Sequence, residues 1–241
     1  MSIQLFCLIM ISLVTTYKNR RHHIEKTLPT WLNQTEVDYE VIILDYDSDD
    51  DLHGFLSALN TRVKIKHVRC PDQPLFVLSH ARNVGANEVK RDWILFIDID
   101  TYLYENSIHY LMQIIKKHNS NYFAATGSEI KKEIINGGFI LVKNSSHCNI
   151  HGFNEDIRGW GYEDIDYKKR LEQNGEKFEI IDEHYYKCID HNDDERTQCW
   201  TEDKEISWMR NRQIALKKWS SDTYGECDNK VIMIYGNNYE K

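Results

Sequence analysis

The stretch WILFIDIDTYL, residues 93–103, decides how this chain is built. Its apolar run reads as a buried strand, and it closes on Asp98 and Asp100 with a single isoleucine between them. On extended backbone, residues two apart point to one side, so Asp98 and Asp100 share a face while Ile97 and Ile99 take the other. Paired carboxylates at a buried strand end repel each other and lose hydration. A hard divalent cation, Mg²⁺ or Mn²⁺, offsets both costs and prefers oxygen donors of this kind. The plainer reading is a strand end whose aspartates cap the next helix.

Upstream of this stretch, strands and helices alternate. CLIMISLVTTY (7–17) reads as a strand, and RRHHIEKTLPTWLNQT (20–35) as a helix with Ile24, Leu28, Trp31 and Leu32 on one face. YEVIILDYDSDDD (39–51) is a β-rich run ending in an acidic loop, and LHGFLSALN (52–60) a short helix. RVKIKHVRC (62–70) alternates like a strand with one wetted face. FVLSHARNVGANEV (76–89) reads as a helix with Ser79 near its start. Such alternation predicts a mixed, mostly parallel central sheet flanked by helices on both faces. Sites in these sheets lie beyond the carboxyl ends of the strands, where TTYKNR, DYDSDD and DID would gather on one rim.

Size and composition agree with this. The 241 residues suit one large α/β domain, and the charge of −8 with no basic tract argues against nucleic acid as partner. The apolar N-terminus lacks a basic leader and is too short to span a bilayer, so it reads as the buried first strand of a cytoplasmic protein. The six cysteines include no CxxC pair and are expected to be free thiols, which leaves tetrahedral zinc unsupported.

Downstream, GWGYEDIDYKKRLEQNG (159–175) joins a Gly/Trp turn, a Glu-Asp pair and a helix stopped by Asn174 and Gly175. Acidic residues favour a helix's first turn, which is the bland reading of Glu163 and Asp164. The functional reading makes Asp164 a base for a hydroxyl proton and Trp160 a flat wall for a sugar ring. His191, after a predicted strand, is a candidate ligand for Mn²⁺ beside carboxylates, with His184 competing. Asp45 ends a β run and is placed to accept a base N–H, while Arg82 offers a charged fork to a diphosphate or to Asp45.

Together, SLVTTYKNR, VIILDYDSDD, LSHARNVGA, WILFIDIDTYL, NGGFILVKNS, GFNEDIRGWGYEDIDYKKRL and DHNDDER resemble the GT-A-fold glycosyltransferases. The likeness is to the inverting family-2 enzymes with a galactosyltransferase-type C-terminal block, and it covers about residues 8–196. It implies a metal-dependent enzyme that moves a sugar from a UDP-sugar to a hydroxyl of a glycan or other acceptor. Thr15 and Tyr17 would line the nucleotide pocket, Asp45 would contact uracil, and Arg82 would sit beside the nucleotide. Asp98 and Asp100 would form the DxD motif, with Asp100 and His191 binding Mn²⁺ or Mg²⁺. Gly138 would leave room for the donor sugar, and Trp160, Glu163 and the base Asp164 would form the acceptor site. The single domain would then divide into a nucleotide-binding half (about 8–105), an acceptor half (about 106–200) and a helical tail (about 201–241). The loop after Asp45 departs from the family's aspartate-glycine-serine turn. The tail matches no motif and is left as a lid or an oligomer contact.

Two other readings use the same residues. A haloacid-dehalogenase-like phosphatase would take Asp98 as nucleophile and Asp100 as acid/base, with Mg²⁺ bound. A non-catalytic module would bind the nucleotide or glycan without turnover.

Overall fold

A computed structural model describes residues 9–35, 38–125, 137–190, 199–200 and 202–236. Its centre is an eight-stranded sheet in the order β10-β3-β2-β1-β4-β7-β6-β8. Strands β1 (Ile11–Tyr17), β2 (Tyr39–Asp45), β3 (Lys64–Arg69) and β4 (Trp93–Phe96) pair in parallel, which puts their carboxyl ends on one rim. Against them run β7 (Ile140–Lys143), antiparallel to β4, and β10 (Val231–Tyr235), antiparallel to β3. Strand β6 (Tyr122–Ala124) is antiparallel to β7 and parallel to β8 (Phe178–Ile180). A short ribbon of β5 (Thr101–Leu103) and β9 (Tyr186–Cys188) lies outside the sheet.

The strands alternate their side chains between two cores. One face packs Leu13, Val41 and Ile43 under α1 (Arg21–Leu32) and α4 (Ser107–Lys117), with Ile24, Leu28, Trp31 and Leu111 buried at helical spacing. The other packs Val14, Ile42 and Phe96 under α3 (Leu78–Asn87) and α6 (Glu163–Gln173), through Ala81, Val84, Tyr167 and Leu171. Two short helices, α2 (Leu52–Ser57) and α5 (Asn144–Asn149), fill turns, and α7 (Lys204–Ala215) closes the described helices. None of the described helices is long and apolar enough to cross a membrane.

Three expectations need correction. Strand β4 stops at Phe96, so Asp98 and Asp100 lie in the turn to β5, where the Thr101 amide donates to the Asp98 carbonyl at 3.0 Å. Strand β3 lacks the expected wetted face between Ile65 and Val68: Ile65 lies in one core with Leu52 and Leu56 of α2, and Val68 in the other with Ala81 and Val84 of α3. Lys66 is buried there, its ammonium donating to the Glu88 carbonyl at 2.6 Å and lying 3.6 Å from the Glu88 carboxylate. The cysteines are not all free, since Cys70 at the end of β3 is bonded to Cys227, 157 residues away. Cys148, Cys188 and Cys199 form no disulfide among the described residues, and Cys7 lies outside them. Ser79 is near the start of its helix as expected: it is the second residue of α3, with Val77 as N-cap.

The second core contains a titratable group. His147 is 1% exposed and boxed by the rings of Phe96, Phe153, Tyr167 and Tyr224. Its Nδ1 meets the Tyr167 hydroxyl at 2.7 Å, and its Nε2 has no partner. Burial, with the charge of Arg170 adding, pushes the imidazole down to about 3. Between that value and the ordinary 6.5, the unfolded chain binds a proton that the folded chain refuses. Stability therefore rises with pH across this window and is lost on acidification, by at most about 1.4 kcal/mol per pH unit. His147→Gln should flatten the dependence of the urea midpoint between pH 6.5 and 4. Parallel pH curves for the two proteins would refute the assignment.

Candidate active site

Helix α1 fixes the turn that carries the two aspartates. The Thr27 hydroxyl donates to the Ile99 carbonyl at 2.8 Å, and the Trp31 indole donates to the Thr101 carbonyl at 2.7 Å. Both donors are fully buried, so the turn is tied from beneath. The result presents Asp98 and Asp100 to a cavity of about 350 Å³, within the roughly 300–1,000 Å³ typical of small-molecule sites.

Helix α3 brings Arg82 to the same cavity. Its guanidinium is 4% exposed and forks between Asp98 (Nη2–Oδ1 2.9 Å) and Glu163 (Nη1–Oε1 3.3 Å). The Phe153 ring lies 5.1 Å away from its Cζ. Burial alone would weaken the guanidinium's hold on its proton, but Asp98 and Glu163 outweigh it and raise the pKa. The fork expected of Arg82 is thus occupied by acids of the rim, and Asp45 is not one of them.

Helix α6 brings the other two acids. Glu163 and Asp164 open its first turn, as the Glu-Asp spacing predicts. Lys168, one turn on, lies 3.1 Å from Asp164 Oδ2. Burial, then the charge of Asp164, lift Glu163 to about 7 against the pull of Arg82. Asp98 is also raised, by burial first and then by Asp100 and Asp164, with Arg82 opposing. Its side chain is 36% exposed, so solvent screens part of that effect.

The strand that runs backwards completes the wall. Because β7 is antiparallel to β4, its entry end meets the rim, and Gly137 and Gly138 come with it. A Cβ on Gly138 would stand 2.3 Å from Asp98 Oδ2 and 2.6 Å from Arg82 Nη2. A Cβ on Gly137 would stand 2.3 Å from Asp164 Oδ2. Adjacent glycines therefore touch the two acids from opposite elements, and no larger residue fits between them.

Asp98, Asp100, Arg82, Gly138, Trp160, Glu163 and Asp164, all named from the sequence, line this one cavity. Thr15, Tyr17 and Asp45 do not. Strand parity explains the first two: Tyr17 lies in the core beneath α1, and Thr16 takes the cavity side. The Tyr17 hydroxyl donates to Asp50. Asp45 is fully buried among the Ser48 amide (2.9 Å), His67 (3.3 Å) and Arg69 (3.2 Å). Burial would raise its carboxyl, but the bonds from His67 and Ser48 outweigh it and leave it below the ordinary range. His191 lies outside the described residues. The sequence reading missed Thr16, Lys18, Arg20, Gly137, Trp200 and Trp208, which also line the cavity.

Among the described residues, no three His, Cys, Asp or Glu side chains are drawn together at metal-holding distances. The donor chemistry nevertheless fits a hard divalent cation. Four carboxylates share the cavity wall, and the mutual repulsion felt by Asp98 is the kind such an ion relieves.

This sheet, with its reversed seventh strand and an acidic rim, defines a nucleotide-diphospho-sugar transferase (GT-A) fold. The sequence model of glycosyl transferase family 2 matches residues 12–141, and the chain belongs to that family. A second match, to the N-terminal domain of galactosyltransferase, covers residues 117–192 and so includes the Gly/Trp turn. Hyaluronan synthase of Pasteurella multocida is 34% identical over 91 residues, 37% of this chain and 9% of that protein. An uncharacterized glycosyltransferase of Haemophilus influenzae is 28% identical over 134 residues, 55% of this chain and 43% of that protein. The chain thus spans less than half the length of either relative. The crystal structure of S. aureus TarS 1–349 superposes with a TM-score of 0.64 at 15% identity, covering 74% of this chain and 60% of that one. Its complex with UDP-GlcNAc gives 0.64 at 14% identity, over 80% and 62%. The family match spans Asp98 and Asp100, which favours transfer over the phosphatase reading of the same pair.

Proposed function

We propose that this chain transfers a sugar from a UDP-sugar to a hydroxyl of a glycan or other acceptor, with inversion at the anomeric carbon. One observation carries the reading: Asp98 and Asp164, from distant parts of the chain, meet the Gly137–Gly138 pair within a single cavity. The TarS complexes with UDP-GlcNAc and UDP support a nucleotide-sugar as donor.

Asp164 accepts the proton of the acceptor hydroxyl, and the oxygen so activated attacks from the face opposite the leaving diphosphate. Lys168 orients Asp164 from one turn away. Arg82 keeps Asp98 and Glu163 at fixed positions and adds positive charge on the donor side. Gly137 and Gly138 let backbone approach the sugar where a side chain would collide. Trp160 supplies a flat wall beside the base. Asp100, with His191, would hold Mn²⁺ or Mg²⁺, whose charge offsets that of the diphosphate.

A thermal-shift screen tests the donor class. A UDP-sugar at about a hundred times its Kd, with Mn²⁺, adds roughly 2.7 kcal/mol of stability, or about 5–10 °C in Tm for a chain of this size. The rise should need Mn²⁺ and should be larger with UDP-sugar than with a guanosine analogue. No rise with any UDP-sugar would overturn the assignment.

A further inference from the structure

The segment after residue 198 lies beyond both family matches, yet it supplies part of the cavity wall. Helix α7 is seated on the Gly/Trp turn by two fully buried polar residues. The Ser207 hydroxyl reaches the Arg158 and Trp160 carbonyls at 3.3 and 3.1 Å, and the Asn211 amide reaches the Trp160 and Gly161 carbonyls at 3.3 and 2.8 Å. Arg210 adds a bond to the Arg158 carbonyl and an ion pair with Glu202. The turn that leads into α6 is thus anchored to α7 at the carbonyls of Arg158, Trp160 and Gly161.

Docked in this way, α7 points Trp208 into the cavity. Gly161 has φ +85°, and a Cβ there would come within 3.0 Å of Trp208 Cδ1. The neighbouring Tyr162 is held at φ +76°, a costly value for a side-chain-bearing residue, and its ring meets Trp208 edge-on at 5.3 Å. Backbone strain next to the candidate base is therefore supported by the tail. Trp200 lines the same cavity, its indole donating to the Phe76 carbonyl at 3.0 Å and its ring 5.8 Å from that of Phe76. Trp160 is the third partly exposed indole, with the Lys204 ammonium 4.2 Å from its ring centre.

The wall is thus split between charged side chains and indoles. A purely apolar ligand would strand the carboxylates and the cations Lys18, Arg20 and Arg82 that line it with them. A pyranose matches both halves, with C–H faces for the rings and a belt of hydroxyls for the oxygens. We propose that Trp208 and Trp200 are acceptor-binding residues, and that residues 199–200 and 202–219 form a recognition surface for an oligosaccharide. This inference rests on the transfer reading above and replaces the earlier alternatives of a lid or an oligomer contact.

The test titrates tetrasaccharides of three chemistries (cellotetraose, chitotetraose and hyaluronan tetrasaccharide) against the full chain with UDP and Mn²⁺ present, following indole emission. At least one should shift the emission saturably. Its affinity should fall tenfold or more in Trp208→Ala and Trp200→Ala, and recover to within about threefold in Trp208→Phe, which keeps a flat ring. The Tm rise with UDP and Mn²⁺ serves as the control for fold and donor site. A wild-type chain that responds to UDP but to no tetrasaccharide would overturn the inference and spare the donor reading. Unchanged affinity in both alanine variants would also overturn it. Sugar binding without any response to UDP would uphold the surface and sink the donor reading.

Discussion

Replacing Asp164 by Asn should abolish measurable transfer, a fall of about 10²–10⁴-fold in kcat, while a UDP-sugar still raises the Tm with Mn²⁺. The substitution keeps shape and removes only basicity. The amide still fits against Gly137, where the backbone approach leaves no room for a longer group. Lys168 remains within reach of its oxygen. What is lost is a group able to take a proton from the acceptor, so the defect belongs in kcat and not in the KM of the donor. UDP release from a UDP-sugar, compared between wild type and Asp164→Asn at saturating donor, is the measurement. Turnover within threefold of wild type would remove Asp164 from the role of base.

The second large effect is on stability. Arg82→Met should lower the unfolding free energy by about 3 kcal/mol near pH 8, because breaking a buried pair leaves uncompensated charge. Glu163 is 13% exposed and Asp98 36%, so the loss falls at the low end of what full burial would produce. The pH dependence has a definite sign. Both acids already have raised pKa values in the folded chain, and losing the guanidinium raises them further. At low pH they carry protons and no longer need it. The gap between Arg82→Met and wild type should therefore narrow from pH 8 to pH 5.5. Urea midpoints at the two pH values measure it; an absent gap would show that the fork contributes nothing to folding, and a constant one that the contribution of Arg82 does not pass through the two carboxylates.

How much of this the chain revealed in advance depended on locality. From β1 to β4 the apolar runs and the helical spacing of Ile24, Leu28 and Trp31 identify each element, because the determinants lie within a dozen residues. The GWGYED block was legible for the same reason: turn, acids and helix are consecutive. Strand β10 escaped, since VIMIY becomes a strand only by pairing with β3, some 165 residues earlier. The Cys70–Cys227 bond escaped too, as six cysteines permit fifteen full pairings. The offset between Thr15 and Thr16 is a question of parity, which sequence gives only once the side of the sheet that holds the cavity is known. Trp200 and Trp208 had one weak signal, Lys204 and Trp208 four apart on a helix, and nothing in it pointed to a partner as remote as Trp160.

The strap from Cys199 to Tyr235 visits the cavity first and the outer edge of the sheet last, where β10 adds to β3 and Cys227 meets Cys70. On the way it sets the Tyr224 ring against the buried His147 and the Gly225 amide against Glu155. Under the proposed reading its two ends answer to different constraints: Trp200 and Trp208 can vary with the ligand, whereas Tyr224, Gly225 and Cys227 are held by the core and the strand they join.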